Sequence, residues 1–315
     1  MRLFLMVVLT LAGCSSDAVS TDDLLRLNHI QVKGTHNSYH VAPDPFVLAD
    51  WDYTHLPLDR QFEEQGVRQV ELDVLWDGDG GFRVAHVPIF DEGTNCPMFA
   101  DCLSLVRGWS DAHPAHHLLF ILVEPKDSLK SNPIEGYYLA LDAEILSMWP
   151  RERILTPDDV RGGHATLRAA LETDGWPTLG ETRGRVLFLM LDSSEHRDGY
   201  LELHPGLQGA LLFARGEMGA PWSSVIETGD GQTIREAAKA GYLVRTAVGG
   251  ADDTLAEILE KEERVVSAGA HIISTDYPAP VEGMDWWLDL PGGLPSRCNP
   301  VTAPPECSAM AIENL

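Results

Sequence analysis

Nearly every apolar run in this chain closes on a residue that can carry charge or move a proton. His29-Ile30-Gln31-Val32 leads to His36, Val67 to Leu75 carries Glu71 and Asp73, Phe82 to Ala85 leads to His86, and His117 to Val123 leads to Glu124 and Lys126. Further on, Arg185 to Leu191, Ala210 to Ala214, Tyr242 to Val244 and His271 to Thr275 end at Asp192, Arg215, Arg245 and Asp276. Helical patterns fill the intervals at Leu58 to Gln65, Cys102 to Ala112, Gly136 to Met148, Thr233 to Ala240 and Asp253 to Ala268, the last with Asp252 or Asp253 as its cap. About eight strands alternating with helices predict a parallel α/β architecture. An open doubly wound sheet would gather its chemistry at one crossover, usually beside a glycine-rich first turn. Polar residues at so many strand exits instead predict a closed TIM-type (β/α)8 barrel, whose strands all deliver their C-terminal ends to one mouth.

One interval breaks the rhythm. Only thirteen positions separate Asp73 from His86, too few for a parallel crossover. Asp77-Gly78-Asp79-Gly80-Gly81 is turn chemistry, so a β-hairpin is expected between strands two and three. A turn centred near position 79 sets Asp73 within about one residue of being opposite His86, inside cross-strand reach; the register that would settle their faces is left open. The same loop is not an EF-hand, because Pro88 stands where the closing carboxylate would be needed. No GxSxG elbow and no P-loop occur.

Glu71 and Asp73 are two apart on one strand and therefore share a face. Close carboxylates raise each other's pKa unless a cation is shared between them. Glu124 and Lys126 repeat the spacing at the end of the next parallel strand. Oxygen donors from Asn37, Glu71, Asp73 and Glu124 suit a hard ion, calcium or alternatively magnesium, and no HxH pair or thiolate set points to a transition metal. His36 follows Gly34, a glycine expected to let the chain bend sharply after its strand. With His86 it offers the base and the acid that phosphodiester cleavage requires. The other ten histidines show no such grouping: His116 and His117 flank a strand start, and His55 and His113 are expected at the surface. Phe46, Trp51, Tyr53, Trp286 and Trp287 are expected to pack on the barrel rather than form a lipid-contacting rim.

A chain of 315 residues allows one large domain or two small ones, and 44% hydrophobic with 23% charged residues supports a sizeable core. The formal charge of −25 repels nucleic acid and anionic membranes at long range. An anionic substrate then needs a bound cation or a few well-placed bases, for which Lys126, Arg215 and Arg245 are the candidates. At the N-terminus Arg2, the apolar stretch Leu3 to Leu11 and Leu11-Ala12-Gly13-Cys14 read as an export signal. The stretch is too short to span a bilayer, and its end resembles the bacterial lipobox, in which the cysteine is lipidated. Residues 1–14 are thus expected to be a lipoprotein signal, 15–27 a tether, 28–285 the barrel and 286–315 an extension. A monomer in the cell envelope is expected, lipid-anchored at the outer membrane or the periplasmic face, or secreted if the leader is cut as a plain secretory peptide. With Cys14 set aside, Cys96, Cys102, Cys298 and Cys307 remain, an even number that points to two disulfides. Local pairs are the simplest of the three connectivities.

Taken in order, these clusters resemble the calcium-dependent phosphatidylinositol-specific phospholipase C family, within the superfamily that also holds glycerophosphodiester phosphodiesterases. Gly34-Thr35-His36-Asn37-Ser38-Tyr39 looks like the family's first catalytic histidine with its adjoining metal ligand. Val70-Glu71-Leu72-Asp73-Val74 resembles its acidic metal-binding strand, His86 its second catalytic histidine, and Glu124-Pro125-Lys126 a further ligand with a phosphate-facing lysine. Beyond residues 30–126, Ser274-Thr275-Asp276-Tyr277-Pro278 adds support. Glycerophosphodiesterases typically carry His-Arg-Gly at the first position, where Thr35-His36-Asn37 stands here. The resemblance implies a barrel with calcium at its mouth, attack of the inositol 2-hydroxyl on phosphorus, His36 as base or phosphorane stabiliser and His86 as acid. Hydrolysis of another phosphodiester, and a lipidated metal-binding protein without turnover, are the alternatives.

Overall fold

Long, uninterrupted apolar runs bounded by turn residues belong to strands buried on both faces, and they wind this chain into a barrel. In the computed structural model, which describes residues 20–192 and 194–315, ten strands form in chain order: β1 (Ile30–Thr35), β2 (Gln69–Trp76), β3 (Phe82–Val84), β4 (Leu119–Pro125), β5 (Val186–Met190), β6 (Leu212–Ala214), β7 (Val225–Glu227), β8 (Leu243–Ala247), β9 (Ile272–Thr275) and β10 (Ser296–Cys298). Eight of them pair in parallel around one sheet in the order β6-β5-β4-β2-β1-β9-β8-β7. A single bridge between Arg215 and Val225, with Gly216 N–H donating to the Val225 carbonyl at 2.9 Å, brings the two ends together. The fold is the expected TIM-type α/β barrel.

β5 is buried throughout, and Leu119 to Val123 of β4 are at most 1% exposed. Each such large side chain contributes roughly 1.5–3 kcal/mol relative to exposure. The expected hairpin is present: β3 runs antiparallel to β2 with Val74 opposite Val84 and Trp76 opposite Phe82. The Asp77 carboxylate closes its turn by accepting from the Asp79 and Gly81 N–H groups. β3 stands outside the ring, however. The eighth barrel strand is β7, three residues that show no alternation long enough to read.

Several local expectations are corrected. Gly34 does not end its strand; it lies inside β1 opposite Gln69, and a Cβ there would stand 1.9 Å from Gln69 Oε1. That vacancy lets the Gln69 amide donate to the Thr35 carbonyl (3.0 Å) and accept from Ser274 Oγ (2.6 Å) across the barrel floor. The bend comes at Asn37, whose φ of 40° is in the left-handed region that asparagine tolerates. The helix Leu255–Ala268 is capped by Thr254 in a capping box with Glu257, one residue beyond the expected aspartates. His55 is 4% exposed rather than a surface residue.

Cys14 and residues 15–19 lie outside the described residues. From Ser20 on the expected tether lies against the barrel: Thr21–Leu24 is helical, Leu25 and Leu27 are fully buried, and Arg183 holds Asp22 together with the carbonyls of Ala311 and Ile312. The C-terminal segment sends β10 antiparallel along β1, then places Glu313 against Arg68 at 2.8 Å and His117 at 3.3 Å beneath the barrel. Disulfides join Cys96 to Cys102 and Cys298 to Cys307, the local pairs. Among the described residues no helix is long and apolar enough to cross a membrane.

Candidate active site

At the C-terminal ends of β1, β2 and β4 the barrel interior turns from apolar to acidic. Gln69, Glu71 and Asp73 share one face of β2, and Asp73 lies in register with Glu124 of β4. Carboxylate oxygens of Glu71, Asp73 and Glu124 lie within 4.8 Å of one another. Two cations meet them. Lys126 Nζ is 2.9 Å from Asp73 and 2.8 Å from Glu124, and Arg245 is 2.7 Å from Glu71 while also pairing with Glu227. Burial, with Glu71 and Glu124 close by, pushes the Asp73 carboxyl up to about 8 against the pull of Lys126. Burial likewise raises Glu71, against Arg245 and His36.

The donor set fits a hard divalent cation on the chain's own evidence. Asn37 Oδ1 and Asp73 Oδ1 are buried and accept no hydrogen bond from the described residues, a costly condition that a shared ion relieves. Asn37 is held by its other end, donating from Nδ2 to Tyr53 Oη at 3.2 Å.

Both candidate histidines border this cluster, and each is oriented at Nδ1 by a carboxylate. His36 Nδ1 is 2.8 Å from Asp276 and its Nε2 is 3.9 Å from Glu71. Burial lowers its proton affinity, but the hydrogen bond to Asp276 and the charge of Glu71 outweigh that and raise it to about 9. His86 reaches the site because β2 overshoots the mouth and β3 comes back down. Its Nδ1 is 2.7 Å from Asp91. Burial lowers His86, and the Asp91 bond opposes this only in part. Beside His36 a cavity of about 270 Å³ is lined by Arg245, Gly249, Gly250, Lys261 and Asp276.

The structure thus brings together His36, Asn37, Glu71, Asp73, His86, Glu124 and Lys126. Arg245 stands among them too, 5% exposed and bound to two carboxylates. Arg215 lies farther round the barrel, one-third exposed and 2.6 Å from Glu227. Sequence reasoning passed over Asp91, His40, Glu227 and Tyr53 as site residues, and named Asp276 as a strand exit and as part of the Ser274–Pro278 resemblance but gave it no role at the site. Contrary to expectation, the remaining histidines do include one grouped with the site: His40 shares Asp91 with His86. Of the aromatic residues, Tyr53 and Trp286 are buried as expected, whereas Phe46 and Trp287 are 63% and 41% exposed.

The sequence model of the family described as Phosphoinositide phospholipase C, Ca2+-dependent matches residues 25–82 and 79–300. Among solved structures the chain is similar to a calcium-dependent phosphatidylinositol-specific phospholipase C from Streptomyces antibioticus, at 21% identity and a TM-score of 0.59, over 81% of this chain and 95% of that one. It is also similar to a calcium-dependent phosphoinositol-specific phospholipase C from the Gram-negative bacterium Pseudomonas sp., at 19% identity and a TM-score of 0.63, over 89% and 97%. The myo-inositol complex of that enzyme gives 19% and 0.62, over 88% and 96%. At these identities the likeness is one of fold. No curated protein matches the sequence.

Proposed function

The chain belongs to the calcium-dependent phosphoinositide phospholipase C family, and from that premise we propose that it cleaves the phosphodiester bond of phosphatidylinositol or a related phospholipid at a calcium site, with His36 as base or phosphorane stabiliser and His86 as acid. One observation carries the reading: two imidazoles, each held at Nδ1 by its own carboxylate, border three clustered acidic side chains.

Asn37, Glu71, Asp73 and Glu124 would hold calcium, which when bound lowers the pKa of the inositol 2-hydroxyl and neutralises phosphate charge. His36, fixed by Asp276, takes the proton of that hydroxyl or stabilises the phosphorane. His86, with Nδ1 tied to Asp91, gives a proton from Nε2 to the departing glycerol oxygen, leaving diacylglycerol and a cyclic inositol phosphate. Lys126 turns from its carboxylates to the phosphate, and Arg215 and Arg245 complete the basic surroundings of the headgroup. Phe46, Val47 and Leu48, on the segment between His40 and Tyr53, and Ile89 and Phe90, on the turn between His86 and Asp91, are exposed apolar side chains. They favour a lipid over a soluble glycerophosphodiester. Lipid attachment at Cys14, a tether over 15–19 and a monomeric chain in the cell envelope belong to the same proposal, supported by Leu11-Ala12-Gly13-Cys14.

The test is headgroup release from phosphatidylinositol vesicles, compared with glycerophosphoinositol, with and without chelator. Release that EDTA abolishes and calcium restores is expected, with His36→Ala and His86→Ala each lowering kcat by roughly 10²–10⁴-fold at unchanged circular dichroism. Chelator-resistant release, or either variant near wild-type activity, overturns it. Cleavage of the soluble diester alone would favour the glycerophosphodiesterase reading, and calcium binding without turnover the binding protein.

A further inference from the structure

The loop that follows β1 folds back on its own first turn. Asn37 stands in that turn with φ 40°, and the backbone around it is held from several directions. The Asn37 carbonyl accepts from the His40 N–H at 2.8 Å, the His40 carbonyl accepts from the His55 N–H at 2.9 Å, and His55 Nε2 reaches the carbonyl of His36 at 2.9 Å. Ser38 is tied to Glu71 twice: its N–H donates to the Glu71 carbonyl at 2.9 Å, and its Oγ accepts from the Glu71 N–H at 2.7 Å. Those bonds keep the turn against the acidic stretch of β2. What they leave open is which end of the Asn37 amide faces the carboxylates of Glu71, Asp73 and Glu124. The two ends are opposite in kind, since Oδ1 can only accept and Nδ2 can only donate. Left to itself, an amide beside carboxylates turns its NH2 toward them, the orientation that repels a cation.

Tyr53 supplies the counterweight. Its Oη accepts from Asn37 Nδ2 at 3.2 Å. The residue is 5% exposed, its ring is stacked on His40 at 4.3 Å, and its carbonyl lies 2.9 Å from His40 Nδ1, so the oxygen has little room to swing away. Asn37 Oδ1 is left buried with no partner among the described residues. We propose that Tyr53 is a positioning residue for calcium: its hydroxyl holds the Asn37 amide nitrogen away from the acidic cluster and keeps Oδ1 available as a ligand. The proposal rests on the reading of Asn37 as a calcium ligand. A partner that orients a ligand in this way is worth about 10–100-fold in metal affinity. An aspartate in place of Asn37 would need no such help, because it tolerates the same backbone conformation and presents oxygen at both ends.

Calorimetric titration of the full-length protein with calcium chloride tests this without substrate. Tyr53→Phe removes one oxygen and leaves the ring on His40. It should weaken calcium binding by about 10-fold or more, while the thermal midpoint in EDTA falls by no more than about 4 °C, the worth of one ordinary hydrogen bond. In an Asn37→Asp background the same change should weaken binding by less than about threefold. With phosphatidylinositol, the calcium concentration for half-maximal rate should rise in step while kcat at saturating calcium stays within about threefold. Calcium affinity that Tyr53→Phe leaves unchanged overturns the proposal, and so does an equal loss in both backgrounds, which a merely structural role would give. If the variant does not fold, the wild type decides: the Asn37 amide hydrogens should show NOEs to the Tyr53 ring protons, and their absence overturns the proposal. A wild type that binds no calcium refutes the metal reading and the proposal together. Binding without cleavage of any phosphodiester refutes the catalytic reading alone, and the calorimetry still judges Tyr53.

Discussion

Replacing Arg245 with methionine should unsettle the barrel more than any loss of packing explains. The Arg245 guanidinium lies 2.7 Å from Glu71 in a site where both side chains are nearly sealed from water. At an effective dielectric of about 20, that separation corresponds to roughly 6 kcal/mol of attraction, most of it offset by burying both charges. The net value of the pair is thus small, but removing one partner leaves the buried Glu71 with only His36 Nε2, 3.9 Å away, opposite it, at a cost of about 3–5 kcal/mol. Glu227 suffers less, because Arg215 stays 2.6 Å from it. Methionine fills most of the vacated volume, so the deficit is electrostatic. At about 2–4 °C per kcal/mol the midpoint of thermal unfolding in EDTA should fall by roughly 6–20 °C. Adding Glu71→Gln should recover about 2–3 kcal/mol, since no unpaired carboxylate then remains. Burial already raises Glu71 against the pull of Arg245, and without the arginine it rises further. A carboxyl raised by folding is best tolerated in acid, so the deficit should shrink as pH falls and widen as it rises. Additive effects of the two substitutions, or a single-variant loss under about 1 kcal/mol, would refute the reasoning.

Three further outcomes are expected. Gly34→Ala forces a Cβ to within 1.9 Å of Gln69 Oε1, and the urea midpoint should report a loss of about 1–3 kcal/mol that Gln69→Ala partly restores. At Glu313 burial favours protonation, but His117, 3.3 Å away, and the Arg68 charge hold the carboxyl well below its ordinary value of 4.5. Its stabilisation is therefore present above that pH and lost as pH falls; Glu313→Gln should flatten the acid limb of the stability profile, and an unchanged limb contradicts the assignment. Asp276→Asn removes the carboxylate that orients His36 at 2.8 Å, so kcat should fall about 10²-fold or more with unfolding little changed, whereas activity within about twofold of wild type would show that His36 needs no such support.

The parts legible in the sequence are those with a local physical signature. Spacing of two along a strand put Glu71 and Asp73 on one face, and the short glycine-rich interval after Asp77 required the hairpin that returns His86. What stayed hidden depends on distant contacts or on backbone shape. β7 is three residues long, shorter than any period can reveal. His40 and Asp91 are 51 residues apart and meet only because a strained turn at Ile89 folds the acid inward. His55 sits among loop residues typical of a surface, yet its Nε2 reaches the His36 carbonyl at 2.9 Å and buries it. Gly34 suggested a bend because glycine permits one, whereas its actual service is to leave room for Gln69.

The single bridge between Arg215 and Val225 also says where this chain could be rewired. Both ends of the described chain converge on Arg183, which holds Asp22 and the backbone of Ala311 and Ile312, so joining them needs only a short linker. New termini cut into the loop at 217–222 would spare every multi-residue ladder. A circular permutant opened there should keep its strands paired from β7 round to β6. Its closure would then rest on Glu227, which grips Arg215 from one side and Arg245 from the other.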